Sequence, residues 1–309
     1  MATDFELTRN EIVRAAYEDC RVAIDGEELS AEQLTKGIKK LNAILKHLQA
    51  QGFHMWKLGE AWLFAKKGKA EYKLGIGGDL AGYDVKKNKI MAPLYCGFNV
   101  LFLNPCDNMP SVGDYIAVNI NNRWLFTTTV TAVENNVVTI NDILPCDVMC
   151  GMEVYFFTHL IDRPLKILQA RRSILGGGNE IEMVNMENAD YFRLPQKEQE
   201  GTPTSWTYVP TLDKGTFYLW NTPYANNIII KFTYEQAFDI LENSKDIPDI
   251  AQEWIEPLTW ELAYQLSASC GLALDEREWL KIQAKESMAQ ARTFDQETGG
   301  FVISPDYRG

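Results

Sequence analysis

The chain opens with two apolar patterns of helical period. Thr8 and Glu11 stand three apart, the spacing at which a hydroxyl and a carboxylate satisfy the free N–H groups of a helix start. Behind them Ile12, Val13, Ala16, Tyr17 and Cys20 fall on one side of a helix. "DGEEL" interrupts the pattern, and Ser30 with Gln33 repeats the start signal. Leu34, Ile38, Leu41, Leu45 and Leu48 then recur at steps of four and three, which predicts one continuous stripe. Gly52 is the expected stop.

From about Trp56 the period changes to two. "EAWLFAKKGKAEYKLGIGGD" reads as strand, basic turn, strand. "GDYIAVNINNRWLFTTTVTAVENNVVTINDIL" alternates and is cut by Asn121-Asn122 and Asn135-Asn136, residues that tolerate the positive φ of tight hairpins. The β-branched runs Thr127 to Thr131 and Val137 to Ile140 belong in strands. A small antiparallel barrel or sandwich is predicted over about 95–160, followed by more strands from Arg163 to Phe232.

Helical period returns near the C-terminal end. Asp249 is placed to cap a helix whose face carries Trp254, Leu258, Leu262 and Leu266, with Pro257 bending or restarting it. "IQAKESMAQARTF" makes a last helix, broken by Gly299-Gly300. The fold class expected is therefore α+β: a helical domain from both chain ends, 1–70 and 235–309, with an antiparallel β-rich insertion over 71–234.

With 42 acidic against 30 basic residues the formal charge is −12. That balance argues against tight binding of duplex DNA, which needs cations to displace counterions from phosphates, but suits a surface past which DNA slides. No apolar run approaches the roughly 18 residues of a membrane span. The first residues, "MATDFELTRNEIVR", are acidic where a secretory leader is basic, so the chain is not expected to cross or enter a membrane by itself.

Chemistry-bearing motifs are sparse. Cys20, Cys96, Cys106, Cys146, Cys150 and Cys270 lack paired Cys-x-x-Cys knuckles; Cys146 and Cys150 match a zinc ligand pair only loosely, and no metal site is expected. His47, His54 and His159 lie in separate contexts. "LGIGGD" and "LGGGN" do not continue as a phosphate loop and read as turns. The basic runs "AKKGKAEYK" and "DVKKNK" read as solvated hairpin tips. No catalytic residue and no cofactor are expected. The eight tryptophans suit packed interfaces as well as a core.

"ELSAEQLTKGIKKLNAILKHLQAQGFHMW" resembles the N-terminal helical hairpin of head-to-tail adaptor proteins from short-tailed bacteriophages. The resemblance continues in "ADYFRLPQKEQEGTPTSWTYVP" and "GTFYLWNTP", and closes with "DIPDIAQEWIEPLTWELAYQLSASCGL". It covers most of the chain through packing motifs, and it matches longer members with a β-region inserted between the helices.

The resemblance implies a homo-oligomeric ring of about twelve copies, a dodecamer, docked under a portal protein and around the DNA exit channel. A downstream tail or nozzle protein would follow it, and DNA would pass without sequence recognition. The location implied is the head–tail junction of the virion, after assembly in the host cytoplasm. Two other classes remain open: a tail-associated muramidase, which needs two placed carboxylates, and a host-carbohydrate-binding tail module. The subunit or portal interface is expected at Phe294, Phe301, Ile303 and Tyr307, on an apolar tail that another chain would hold, the alternative being that it folds back on its own helices.

Overall fold

The computed structural model describes residues 7–22, 28–51, 58–105, 107–236 and 252–294. The chain divides into two compact units, Met1–Trp56 with Phe238–Gly309, and Lys57–Ala237. Helix and strand are both present; among the described residues the helices of the first unit come from both of its sequence segments, and the strands lie in the second.

In the first unit, helix α1 (Arg9–Asp19) and helix α2 (Ala31–Ala50) each start with a complete capping box, Thr8 with Glu11 and Ser30 with Gln33. The α2 stripe buries Leu41, Leu45 and Leu48, whereas Leu34 and Ile38 are only partly covered. Gly52 and Asp249 lie outside the described residues, and α2 ends on Gln51. A 3-10 turn, Gln252–Trp254, leads into an α-helix over Ile255–Ser267, so Pro257 sits in a first turn where its missing N–H costs nothing. The last helix of the unit spans Leu274–Phe294.

These four helices share one apolar core that includes Ile12, Tyr17, Leu41, Leu258, Leu262 and Leu280. Cys20 lies inside it, its thiol donating to the Ala263 carbonyl at 3.2 Å, and burial, with Cys270 beside it, pushes its pKa up to about 12. Gly37, in the middle of α2, marks the closest approach to α1: a Cβ there would stand 2.4 Å from Val13 Cγ1. Val13 is fully buried and cannot swing aside. Gly37→Leu is therefore expected to lower stability by about 1–3 kcal/mol through overpacking, although leucine is the better helix former by roughly 1 kcal/mol. Thermal unfolding followed by circular dichroism checks this, and a raised midpoint would contradict it.

The second unit contains two sheets. The larger uses β1 (Leu58–Phe64), β2 (Glu71–Leu74) and β3 (Ala81–Tyr83), then β10 (Lys166–Ile174), β11 (Glu180–Asn185), β13 (Ser205–Pro210), β14 (Gly215–Trp220) and β16 (Ile228–Glu235). The smaller uses β4 (Lys86–Lys89), β5 (Val100–Phe102), β6 (Tyr115–Ile120), β7 (Trp124–Glu134), β8 (Val137–Ile140) and β9 (Glu153–Phe157). The two-residue strands β12 (Glu200–Gly201) and β15 (Thr222–Pro223) pair with each other. One short helix, α3 (Asn188–Arg193), lies between β11 and β12, so the two C-terminal helices are α4 (Ile255–Ser267) and α5 (Leu274–Phe294).

The eight strands run in the order β2-β14-β13-β11-β10-β16-β1-β3. The edge strands β2 and β3 are joined by the turn that carries Asp79, whose Oδ2 accepts from the Lys73 N–H at 2.8 Å while Oδ1 pairs with Lys69. The sheet thus curls into a nearly closed barrel, and Leu63, Tyr72, Leu74, Trp206, Phe217 and Phe232 fill its core. Within this sheet β11 and β13 run parallel, which accounts for α3: parallel neighbours need a crossover rather than a hairpin.

The six strands follow the order β4-β9-β6-β7-β8-β5 and form an antiparallel half-barrel around Ile116, Val118, Val138, Val154 and Phe156. Asn121 and Asn122, at φ 51° and 58°, close the β6–β7 turn, and Asn135 at φ 55° closes β7–β8. Phe64, Leu125, Tyr155, Phe157 and Ile229 pack between the two sheets. Gly82 permits this approach, because a Cβ on it would fall 2.1 Å from the Phe157 ring.

Three expectations need correction. The change of unit falls between Trp56 and Lys57 rather than at residue 70, since β1 pairs along its whole length with β16. The strands flanking "AKKGKA" do not pair with each other: β1 joins β16 and β3, and β2 joins β14. The run "KKNK" is no hairpin tip but edge strand β4, paired with β9, so the smaller sheet starts at Lys86 instead of about 95. Asn88 explains it, being buried with its amide donating to the carbonyls of Asn104 and Asn108 while the lysines face out. Lysines on an edge strand also discourage unwanted pairing.

Candidate interaction surfaces

The resemblance segment "ADYFRLPQKEQEGTP" contributes walls to a cleft of about 660 Å³. Asn188 at the start of α3 is tied to β13, the Thr207 hydroxyl donating to its Oδ1 at 2.6 Å. That places Tyr191 and Phe192 over Tyr218 of β14. Tyr191 and Tyr218 have ring centroids 4.8 Å apart, and Phe192 meets Tyr218 edge-on at 5.6 Å. Lys197 holds its ammonium 5.2 Å from the Phe192 centroid and 5.8 Å from that of Tyr191. The segment carrying Lys197 is fastened by its carbonyl, which accepts from the Thr222 hydroxyl, and by the β12–β15 pair.

Burial first, then the nearby Tyr218 and Glu71, raises the Tyr191 pKa, so its hydroxyl stays a neutral donor. Lys69, Glu71, Glu198 and Glu200 complete the rim. The half-exposed Phe192, backed by buried Tyr191 and partly buried Tyr218 inside a rim of both charges, forms a surface suited to recognising another molecule.

On the outer face of the larger sheet a charged network surrounds Trp62. The Lys231 ammonium lies 4.0 Å from the Trp62 ring centroid and pairs with Glu180, which Arg171 also reaches at 3.2 Å. Arg171 in turn binds Glu60 at 2.7 Å. The Lys231 hydrogen bond, aided by Arg171 and Lys87, holds the Glu180 carboxyl below its ordinary 4.5. A depressed folded value means that this carboxylate stabilises the fold above the unfolded pKa and loses that contribution as pH falls through the folded one. Stability should accordingly decline below about pH 4.5, and Glu180→Gln should flatten that part of the profile. Urea unfolding at stepped pH reads it; an unchanged slope in the variant would contradict the assignment.

In the helical unit, Trp260 and Trp279 meet edge-on at 5.7 Å. Trp279 remains 52% exposed and Ile282, one turn further along α5, 51%. Asp19, Arg21, Asp275 and Glu276 flank this face, with an Arg21–Glu276 ion pair at 3.1 Å. A third exposed apolar group stands on two crossing loops of the half-barrel: Tyr95, Phe98, Ile143 and Met149 point outward while Leu94, Leu144 and Val148 anchor the loops from within.

Of the expected interface residues, Phe294 closes α5 but its side chain, like Phe301, Ile303 and Tyr307, lies outside the described residues. Sequence reasoning missed the Tyr191–Phe192–Tyr218 cleft and the Trp279–Ile282 face. The second had a signal, since both residues fall off the buried stripe of α5 that Leu280, Ala284, Met288 and Ala291 define. Among the described residues no group of three or more His, Cys, Asp or Glu is placed to hold a metal ion, and no helix is long and apolar enough to cross a membrane. Cys106 lies outside them.

No family profile matches the sequence, and no curated protein matches it. Among solved structures, the VP16-VP17 complex, a complex of the two major capsid proteins of bacteriophage P23-77, is 12% identical over 57% of this chain and 83% of that one, with a TM-score of 0.14. VP17, a capsid protein of bacteriophage P23-77, is 9% identical over 61% of this chain and 76% of that one, with a TM-score of 0.13. Scores so low leave the traces without a common superposition, and neither likeness bears on what this chain does.

Proposed function

We propose that the chain is a structural virion protein, a head-to-tail adaptor that forms a ring of copies, docks on a portal and continues the DNA exit channel. One observation carries the reading. The two helical segments that resemble adaptor motifs are separated by the whole β-unit in sequence, yet α2 and α4 pack into one core with α1 and α5. In this reading the helical unit serves as the adaptor domain, and the β-unit widens contact with neighbouring copies or the next tail component. The −12 charge suits a channel that DNA must leave. The role is geometric rather than catalytic.

Negative-stain imaging of the purified protein, with and without its portal, tests this: rings that seat on the portal are expected, and a protein that stays monomeric beside it would defeat the reading. Deleting residues 299–309, with Phe301, Ile303 and Tyr307, should leave the thermal midpoint nearly unchanged while weakening docking. Unimpaired docking of the truncated chain would remove the tail from the interface.

A second reading, a host-glycan module or a muramidase, draws on the Phe192–Tyr218 cleft and its three glutamates, Glu71, Glu198 and Glu200. It requires affinity for, or cleavage of, peptidoglycan by the isolated protein. Activity abolished by substituting one of these glutamates would establish it over the adaptor reading.

A further inference from the structure

Two cysteines far apart in sequence meet on the loops of the half-barrel. Leu94 pairs with Val148 by hydrogen bonds in both directions, and the Leu144 N–H donates to the Phe98 carbonyl. Between these links Tyr95–Phe98 turns, with Gly97 at φ 87° and its N–H also donating to the Leu144 carbonyl, so Cys96 and Cys146 both lie in the stretch that the links bracket. The local bonds agree: the Cys96 N–H donates to Asp147 Oδ1 at 2.7 Å, and its thiol lies 3.2 Å from the Pro145 carbonyl oxygen. That oxygen belongs to the peptide leading into Cys146 and stands about 2.8 Å from its Cα in standard geometry, so the Cys96 sulfur is within about 6 Å of the Cys146 Cα. Both residues are exposed and both thiols are free.

We propose that Cys96 and Cys146 are a site of disulfide formation, made by exchange with a small oxidised disulfide of the glutathione class. One cysteine thiolate attacks a sulfur of the reagent and expels one glutathione thiolate. The partner thiolate then attacks the protein sulfur of the mixed disulfide and expels the second. The two protein thiols lose two protons and two electrons, and the reagent's S–S bond takes them up as two thiols.

Cys150 is excluded from this pair by its position beyond the Leu94–Val148 bridge, where its thiol donates to the Met91 carbonyl at 3.1 Å. The bond would bracket β5, β6, β7 and β8, restricting the unfolded chain over four of the six strands of the half-barrel. It would also fix the two loops that present Tyr95, Phe98, Ile143 and Met149. A chain folded in a reducing compartment would acquire this staple only on reaching an oxidising one.

The test uses the full-length native protein incubated with oxidised glutathione, quenched with acid, alkylated and mapped by peptide mass spectrometry. Expected are a protein lighter by two hydrogens, a linked peptide pair holding Cys96 and Cys146, and alkylated Cys150. The oxidised form should unfold about 6 °C or more above the reduced form, a difference that Cys96→Ser abolishes. A linkage involving Cys150 instead, or stable glutathione adducts on both Cys96 and Cys146, would overturn the proposal. So would two unmodified thiols after exchange has reached equilibrium.

Discussion

Phe217→Ala should destabilise the β-unit by about 3–5 kcal/mol. Phe217 is fully buried and stacks between Trp206 and Phe232, with centroids 5.6 Å away on each side and interplanar angles of 24° and 23°. Phe232 also meets Tyr234 in a tilted contact at 5.8 Å. β14 and β16 are not neighbours in the sheet, so this column of rings spans the barrel core instead of following its wall. Truncation therefore removes the transferred apolar surface, opens a cavity that flanking rings cannot collapse into, and breaks two aromatic contacts at once. Urea unfolding read by tryptophan fluorescence measures it, and a loss below about 1 kcal/mol would show that the barrel core is more plastic than its packing implies.

The second large effect concerns assembly. Under the adaptor reading, the half-exposed Trp279 and Ile282 on α5 lie against a neighbouring copy, and Trp279→Asp should weaken ring formation by about 2–4 kcal/mol, or 30- to 1000-fold. The monomer should lose only its edge-on contact with Trp260, about 0.5–1.5 kcal/mol. Sedimentation velocity across a concentration series separates the two quantities. Rings of undiminished stability, with a monomer destabilised as much as any core variant, would assign Trp279 to internal packing alone.

Legibility from sequence followed the range of the interaction. The capping boxes at Thr8–Glu11 and Ser30–Gln33 are complete within four residues, and so were readable. The Asn121-Asn122 and Asn135 turns were readable for the same reason, because positive φ selects the residue locally. Strand partners were not. β1 pairs with β16 from the far end of the unit, and nothing within "EAWLF" distinguishes that partner from the adjacent "AEYKL". β4 was hidden because three of its four residues are lysine and its inward residue is a polar asparagine satisfied by remote carbonyls. The aromatic cleft gathers residues from Gly68 to Thr222, so only the closed sheet reveals it.

The interleaving of the two units imposes a timetable on synthesis. α1 and α2 leave the ribosome first, but their apolar stripes are completed by α4 and α5, which follow Gln51 by some 200 residues. At typical elongation rates of about 5–20 residues per second, the nascent pair waits on the order of 10–40 s for its counterpart. The β-unit, contiguous in sequence, has that interval in which to fold. Premature termination anywhere before α4 leaves the N-terminal stripes uncovered, exposed to chaperones and proteases. The chain thus carries its own check on translation: only a copy extended through α4 can bury Leu41, Leu45 and Leu48 against Leu258 and Leu262.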